Sequence, residues 1–169
     1  AKEDVKCWYA AIISSSLYFF IMINADLIME ACLQIFYIGM AVFGLNQWRK
    51  SYAGNQSIKI KTWELKTHFY VISIILIMSL LSGLLLNKYT NAALPFLDAI
   101  TTFGAIITTY MVAIKVLENW LYWFVIDSIS IYIFVSRELF LTAGLFSVYL
   151  VIIIFGYISW KKNLQEKYD

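Results

Sequence analysis

Six long apolar stretches, separated by short polar connections, make up almost the whole of this 169-residue chain. A helix needs about 20 mostly apolar residues to cross the hydrocarbon core of a bilayer. Each stretch approaches that length, so the pattern predicts six membrane-spanning helices. They cover residues 7–23, 25–47, 69–86, 95–116, 119–135 and 139–160.

The connections between the stretches indicate how the helices are arranged. Four of the five connections are only a few residues long, and only 49–68 is long enough to form a real loop. Successive helices must therefore run antiparallel, with no soluble domain between them. The composition agrees with this prediction, because only 14% of the residues are charged, whereas soluble domains carry about 25%.

The basic residues predict which helix ends face the cytoplasm. The 13 Lys and Arg residues divide into eleven at one set of helix ends and only Lys88 and Arg137 at the other. Cytoplasmic segments of membrane proteins carry the excess of basic residues. We therefore expect the 49–68 loop, the segment before the first stretch and the C-terminus to be cytoplasmic.

An internal repeat relates the two ends of the chain at an offset of 112 residues. Residues 8–48 align with residues 120–160 without a gap, and ten of the 41 positions are identical. Tryptophan opens and closes both copies, and each copy ends in the pattern FGxxxW. Both copies have the same distribution of charge, so the repeat is predicted to be parallel, about an axis along the membrane normal.

The repeat predicts two three-helix bundles joined by a linker helix. The stretch 95–116 directly precedes the second copy, and nothing equivalent precedes the first copy in this sequence. We therefore expect a helix upstream of Ala1 to be missing from this chain, which leaves six spans of a 3+1+3 arrangement. The predicted units are the rest of the first bundle at 1–48, the loop at 49–68, the linker helix and turn at 69–94, the second bundle at 95–160 and a tail at 161–169.

Polar side chains inside the apolar stretches recur at helical spacing, as expected for residues that line a shared cavity. Ionisable residues within membrane spans are costly and usually face a bundle interior or a water-filled cavity. Asp127 lies near the middle of its stretch, one turn after Trp123. The candidate binding residues are Asn119, Trp120, Trp123 and Asp127 on the fifth stretch, Gln34 and Tyr37 on the second, and Thr101 and Thr108 on the fourth.

This set of residues suits an organic cation. The face of an indole ring attracts positive charge by about 0.5–2 kcal/mol, and a carboxylate supplies the counter-charge. Amide and hydroxyl groups can form hydrogen bonds with the remaining polar groups of such a ligand. A neutral sugar would not need the carboxylate of Asp127.

Several polar and aromatic residues also have simpler structural interpretations. Ser and Thr in membrane helices often donate to a carbonyl of their own helix, and Gln34 and Tyr37 could hold two helices together. Trp48 and Trp160 lie at the ends of their stretches, where an aromatic belt at the membrane interface is the favoured interpretation.

The chain lacks the common patterns of cofactor, metal and catalytic sites, because it contains no CxxC, HExxH, P-loop, GxSxG or GxGxxG. Cys7 and Cys32 are expected to be small buried hydrophobic residues. His68 is expected to be a surface or interfacial histidine rather than a metal ligand. We therefore expect no cofactor, no metal, no enzymatic activity and no binding to nucleic acid.

Particular segments of the chain resemble the PnuC family of bacterial vitamin transporters. The resemblance rests on LQxFY at 33–37, FGLNQW at 43–48, and the segment 118–160 that begins ENWLYW. It covers essentially the whole chain. It implies a SWEET-like fold in the bacterial inner membrane, with two three-helix bundles and a linker, and facilitated diffusion of a vitamin that is trapped inside by phosphorylation.

The resemblance also implies a substrate site on the fifth helix. Nicotinamide riboside carriers of this family have a WxxxNW motif there, and the matching positions are Trp123, Asp127 and Ser128. The Trp is kept, whereas the Asn and the second Trp are replaced. Ser128 thus joins the candidate site, and both nicotinamide riboside and thiamine, each with a positive charge on an aromatic ring, remain candidate substrates.

The favoured function is a vitamin uniporter that works by alternating access, and two other functions are compatible with the sequence. A SWEET-like carrier of a neutral sugar would use the same fold, and a membrane enzyme or a structural subunit is a third hypothesis. Asp98 and Asp127 lie on different stretches, so no catalytic pair of carboxylates is evident. The expected partners are a small vitamin and the lipid bilayer, and the sequence leaves open proton coupling and a homo-oligomer.

Overall fold

The computed structural model is all-helical, and it describes residues 4–24, 28–52, 59–89 and 94–165. The helices within these residues coincide with the six apolar stretches, which confirms the predicted all-α class. They are α1 (Lys6–Asn24), α2 (Ile28–Tyr52), α3 (Leu65–Tyr89), α4 (Pro95–Ala113), α5 (Asn119–Ser136) and α6 (Phe140–Gln165).

Among the described residues, the four helices α3 to α6 are long and apolar enough to cross a membrane. α1 provides a shorter apolar segment, Lys6–Ile21. α2 does not meet the same criterion, and it carries Gln34, Asn46 and Gln47 among its apolar residues. Length and composition thus confirm four of the six predicted spans.

The described helices pack in pairs along the chain. α1 packs against α2, α3 against α4, and α5 against both α4 and α6. The backbone of the α1–α2 hairpin approaches the other helices where α2 packs against α4. α4 therefore lies at the junction of the two halves of the molecule.

α3 and α4 pack closely where α3 has a small residue. Gly83 is buried, and a β-carbon at this position would collide with the ring of Phe96 on α4. Ile75 and Ser79 are buried on the same side of α3, whereas most of its other apolar side chains are exposed. The side that turns away from α4 is therefore apolar, as suits contact with lipid.

The end of α4 and the burial of Cys7 differ from the sequence predictions. α4 ends at Ala113 rather than at residue 116, because Lys115 adopts a left-handed backbone conformation with φ of 54°, which ends an α-helix. Cys7 is exposed rather than buried, since its neighbour Trp8 takes the inward side of α1. The side chain of Cys32 lies outside the described part of the molecule.

Candidate functional site

Four tryptophans from both copies of the repeat form one buried group, here called the tryptophan cluster (Trp8, Trp48, Trp120 and Trp160). The rings of Trp8 and Trp48 meet edge to face, with centroids 5.5 Å apart and an interplanar angle of 89°. The rings of Trp120 and Trp160 repeat this geometry at 5.4 Å and 87°. Trp48 and Trp160 then join the two pairs at 6.3 Å.

The tryptophan cluster accounts for the glycine in each FGxxxW pattern. A β-carbon on Gly44 would collide with the Trp8 indole, and a β-carbon on Gly156 would collide with the Trp120 indole. In each copy the indole of one helix therefore lies directly on the glycine of the next helix. The residues repeated in sequence thus make the same contacts in both halves.

The cluster also gives the relative direction of the two copies. Trp8 and Trp120 lie at the beginnings of α1 and α5, and Trp48 and Trp160 lie towards the ends of α2 and α6. Because all four rings meet, both hairpins start and finish at the same end of the molecule. The two copies are therefore parallel, as the charge distribution predicted.

The interpretation of Trp48 and Trp160 as an interfacial belt is wrong. Their side chains are only 3% and 1% exposed, whereas belt residues present their rings to the lipid headgroups. An aromatic belt and a buried aromatic group at one end of a bundle both place tryptophan at span ends. Only the packing of the helices distinguishes these two arrangements.

The two halves meet along a line of contacts between α2 and the end of α4, here called the seam. The Nε1–H of Trp48 donates to the carbonyl oxygen of Ala113 at 3.1 Å. The Lys115 ammonium lies 4.9 Å from the centre of the Trp48 ring. Deeper in the bundle, the rings of Phe43 and Tyr110 stack with centroids 6.1 Å apart.

Asp127 lies on the buried side of α5, near the middle of the helix. It is 4% exposed, and Ser130, one turn further on, is also buried. Within the described residues its carboxylate has no ion-pair or hydrogen-bond partner. A buried carboxylate without a partner is unfavourable for stability.

The other aromatic and amide candidates lie on two helices that both adjoin α4. Trp123 is half-buried on α5 and packs against the core around the tryptophan cluster. Gln34 and Tyr37 are half-buried on α2. In the described part of the chain α2 and α5 both contact α4 but not each other, so α4 is the neighbour that these two helices share.

Asn119 and Trp120 are held at the start of α5. The side-chain amide of Asn119 donates to the carbonyl of Val116, and its Oδ1 has no described partner although the residue is fully buried. The Trp120 ring belongs to the tryptophan cluster, and its Nε1 likewise lacks a partner among the described residues. Both residues thus lie about two turns from Asp127, towards the cluster.

The hydroxyl candidates bond to their own helices. Thr108 donates to the carbonyl of Gly104 at 2.7 Å, and it is completely buried. Thr101 bonds to the carbonyls of Leu97 and Asp98. Ser128 donates to Phe124 at 2.7 Å and is exposed on α5. These bonds match the alternative interpretation considered for the Ser and Thr residues.

One contact had no signal in the sequence pattern: the end of the predicted loop pairs with the turn between α4 and α5. The Lys61 N–H donates to the Lys115 carbonyl at 3.0 Å, and the Leu117 N–H donates to the Lys61 carbonyl at 2.8 Å. The Trp63 N–H lies 3.3 Å from a carboxylate oxygen of Glu118. The loop is thereby attached to the second half of the molecule.

His68 completes this attachment. Its Nδ1 lies 2.9 Å from the Tyr122 hydroxyl on α5, and its ring contacts that of Trp63. The residue is half-buried, and the prediction of a surface or interfacial histidine stays a prediction.

A cavity of about 310 Å³ lies between α3, α4 and α5, away from Asp127. Its walls are almost entirely aliphatic, and Ile75, Gly104 and Ile126 are among the lining residues. Ile126 faces this cavity, whereas neighbouring Asp127 is not part of its wall. The cavity therefore lacks the polar groups expected of a site for a charged vitamin.

Comparisons with known proteins agree with the all-helical fold. The family model "Nicotinamide mononucleotide transporter" matches residues 1–162. A nicotinamide riboside transporter PnuC from Neisseria mucosa is 25% identical over 177 residues, which cover 98% of this chain and 67% of that protein. A crystal structure of a vitamin B3 transporter PnuC shares the fold with a TM-score of 0.74 at 21% identity, over 98% of this chain and 75% of the other.

Proposed function

The chain belongs to the nicotinamide mononucleotide transporter family, also named for PnuC, and from that membership we propose that it carries a small cationic vitamin. It is a multi-pass membrane protein and a transporter rather than an enzyme. The proposed substrates are nicotinamide riboside and thiamine, each with a positively charged aromatic ring. The observation that carries the proposal is the buried carboxylate of Asp127, unpartnered in the described structure and one turn from the Trp123 indole.

We propose that the binding site lies beside α4, between the polar sides of α2 and α5. Trp123 would stack on the ring of the substrate, and Asp127 would neutralise its charge. Gln34 and Tyr37 would bind polar groups from the facing side, with Asn119, Trp120 and Ser128 at the periphery. Thr101 and Thr108 would contribute the surface of α4, since their hydroxyl protons already bond within the helix.

Transport by alternating access is proposed from the parallel repeat. Two similar halves that meet along one seam can rock relative to each other and expose a central site to each side in turn. Facilitated diffusion needs no further energy source, because the substrate gradient supplies the driving force. Uptake that collapses with an uncoupler would instead indicate proton coupling.

We further propose the complete 3+1+3 arrangement, with α3 as the linker and an upstream helix related by the repeat to α4. The support is that the two copies make the same tryptophan–glycine contacts and that α4 directly precedes the second copy. An equivalent helix before the first copy would give both halves three helices.

The boundaries of the structural units and the orientation of the chain in the membrane are part of the same proposal. The units are 1–48, the loop 49–68, the linker 69–94, the second bundle 95–160 and the tail 161–169. The tryptophan cluster lies at the helix ends that carry most of the basic residues, so we propose that this end and the C-terminus face the cytoplasm of a bacterium.

A ligand panel tests the proposed substrate class. The purified chain is heated in detergent with nicotinamide riboside, thiamine, nicotinamide mononucleotide or a neutral sugar, and the unfolding midpoint is measured. A ligand at 100 times its Kd adds about 2.7 kcal/mol to the stability of the folded state. We expect at least one of the two cationic vitamins to raise the midpoint, and the sugar to leave it unchanged.

The mononucleotide is the informative member of the panel. It shares the ring of the riboside but adds a phosphate, whose negative charge would be repelled by Asp127. We therefore expect a smaller shift than with the riboside. A shift with the sugar alone would contradict the proposal and favour a SWEET-like sugar carrier.

A further inference from the structure

Trp48 makes three different contacts between the two halves of the molecule. Its indole N–H bonds to the Ala113 carbonyl, its ring contacts Trp160, and the Lys115 ammonium lies over its face. In the described part of the chain, the α1–α2 hairpin thus meets the rest through α4, where the helices approach most closely, and through the ring of Trp160 on α6. Separating the halves at this end must therefore break the contacts of Trp48.

The equivalent residue of the second copy is held differently. Trp160 is as deeply buried as Trp48, and it meets Trp120 edge to face just as Trp48 meets Trp8. Its Nε1 has no hydrogen-bond partner among the described residues. The two tryptophans therefore match in size, burial and aromatic packing, but only Trp48 has a described hydrogen bond across the seam.

We propose that Trp48 is the gating residue at the end of the carrier where the tryptophan cluster lies. In the closed state the bond to Ala113 and the contact with Trp160 hold the halves together. Opening breaks this bond first. The stacked rings of Phe43 and Tyr110, which lie about one turn deeper, separate next. The inference rests on the proposed alternating access, and the proposed orientation makes this the cytoplasmic gate.

A cysteine beneath the cluster reports opening without the use of any substrate. Ala41 is 2% exposed and lies on α2, two turns deeper than Trp48. The reporter is Ala41→Cys in a chain whose own Cys7 and Cys32 are replaced by serine. A membrane-impermeant thiol reagent is added to inside-out vesicles and to intact cells, and the rate of labelling is measured.

Trp48→Phe keeps an aromatic ring but removes the hydrogen bond, and Trp160→Phe is the matched control. The loss of one net hydrogen bond makes opening about three- to tenfold more frequent. We expect labelling to accelerate by that factor in Trp48→Phe, in inside-out vesicles only. In Trp160→Phe we expect a rate within about twofold of the parent, because no described hydrogen bond is lost.

A second variant tests the seam without altering Trp48. Tyr110→Leu removes the stack on Phe43 and should also accelerate labelling from the same side. Equal labelling rates in Trp48→Phe and Trp160→Phe would overturn the gate. So would unchanged labelling rates in both Trp48→Phe and Tyr110→Leu. A lower unfolding temperature in both tryptophan variants with unchanged labelling would likewise mean that Trp48 only stabilises the fold.

The result separates the gate from the proposed substrate. Labelling that follows the expected pattern supports the gate even if no vitamin of the panel binds, and only the substrate proposal then fails. Vitamin-dependent stabilisation with equal labelling in all variants overturns the gate and leaves the substrate proposal standing.

Discussion

Alanine at Gly44 or Gly156 is expected to destabilise the protein by about 1–3 kcal/mol at each position. The added β-carbon would lie within the van der Waals radius of several atoms of the Trp8 or Trp120 indole. Both rings are buried and packed against a second tryptophan, so neither can rotate away without disturbing the cluster. Unfolding in detergent, followed by tryptophan fluorescence, measures the loss.

Two other helical glycines provide matched controls for this experiment. A β-carbon on Gly39 of α2 or Gly144 of α6 would meet nothing within 4 Å. Gly→Ala in a helix stabilises by about 0.5–1 kcal/mol when there is room. We expect Gly39→Ala and Gly144→Ala to be neutral or slightly stabilising. Equal destabilisation by all four substitutions would show that the tryptophan–glycine contact is not the cause.

The internal repeat predicted which residues are equivalent in the two halves, but not the contacts that these residues make. The offset of 112 residues paired Trp8 with Trp120 and Gly44 with Gly156, and the structure gives both pairs the same contacts. The joining of the two pairs into one cluster was missed. In retrospect, glycine four residues before tryptophan on one helical face, twice in register, was a signal for close packing rather than for a belt.

The contacts of the connecting segments could not be predicted from periodicity. Apolar residues lie on both sides of Lys115, so the sequence pattern did not place the end of α4 at Ala113, where the left-handed conformation of Lys115 stops the helix. The pairing of Lys61 with Val116 joins residues distant in the sequence, and no local pattern specifies such a contact. The hydrogen bonds of the Ser and Thr hydroxyls likewise depend on which acceptors the folded helices leave within reach.

Asp127→Asn is expected to weaken binding of a cationic vitamin by about 10- to 100-fold, as the loss of a charged hydrogen bond of about 1.5–3 kcal/mol implies. Trp123→Ala should also weaken binding, because it removes the proposed ring contact. Calorimetric titration of the purified variants with the ligand that gives the largest shift in the panel measures both effects. Asp98→Asn is the matched control, because Asp98 is an exposed carboxylate in the first turn of α4.

The stability of the unliganded Asp127→Asn variant distinguishes a binding residue from a structural one. The carboxylate is buried with no described partner, so replacing it by a neutral amide should leave the free protein as stable as before, or more stable. A carboxylate retained for structural contacts would behave in the opposite way, since its loss would leave buried donors unsatisfied. A variant that unfolds more easily but binds the vitamin with unchanged affinity would therefore rule out Asp127 as the counter-charge of the substrate.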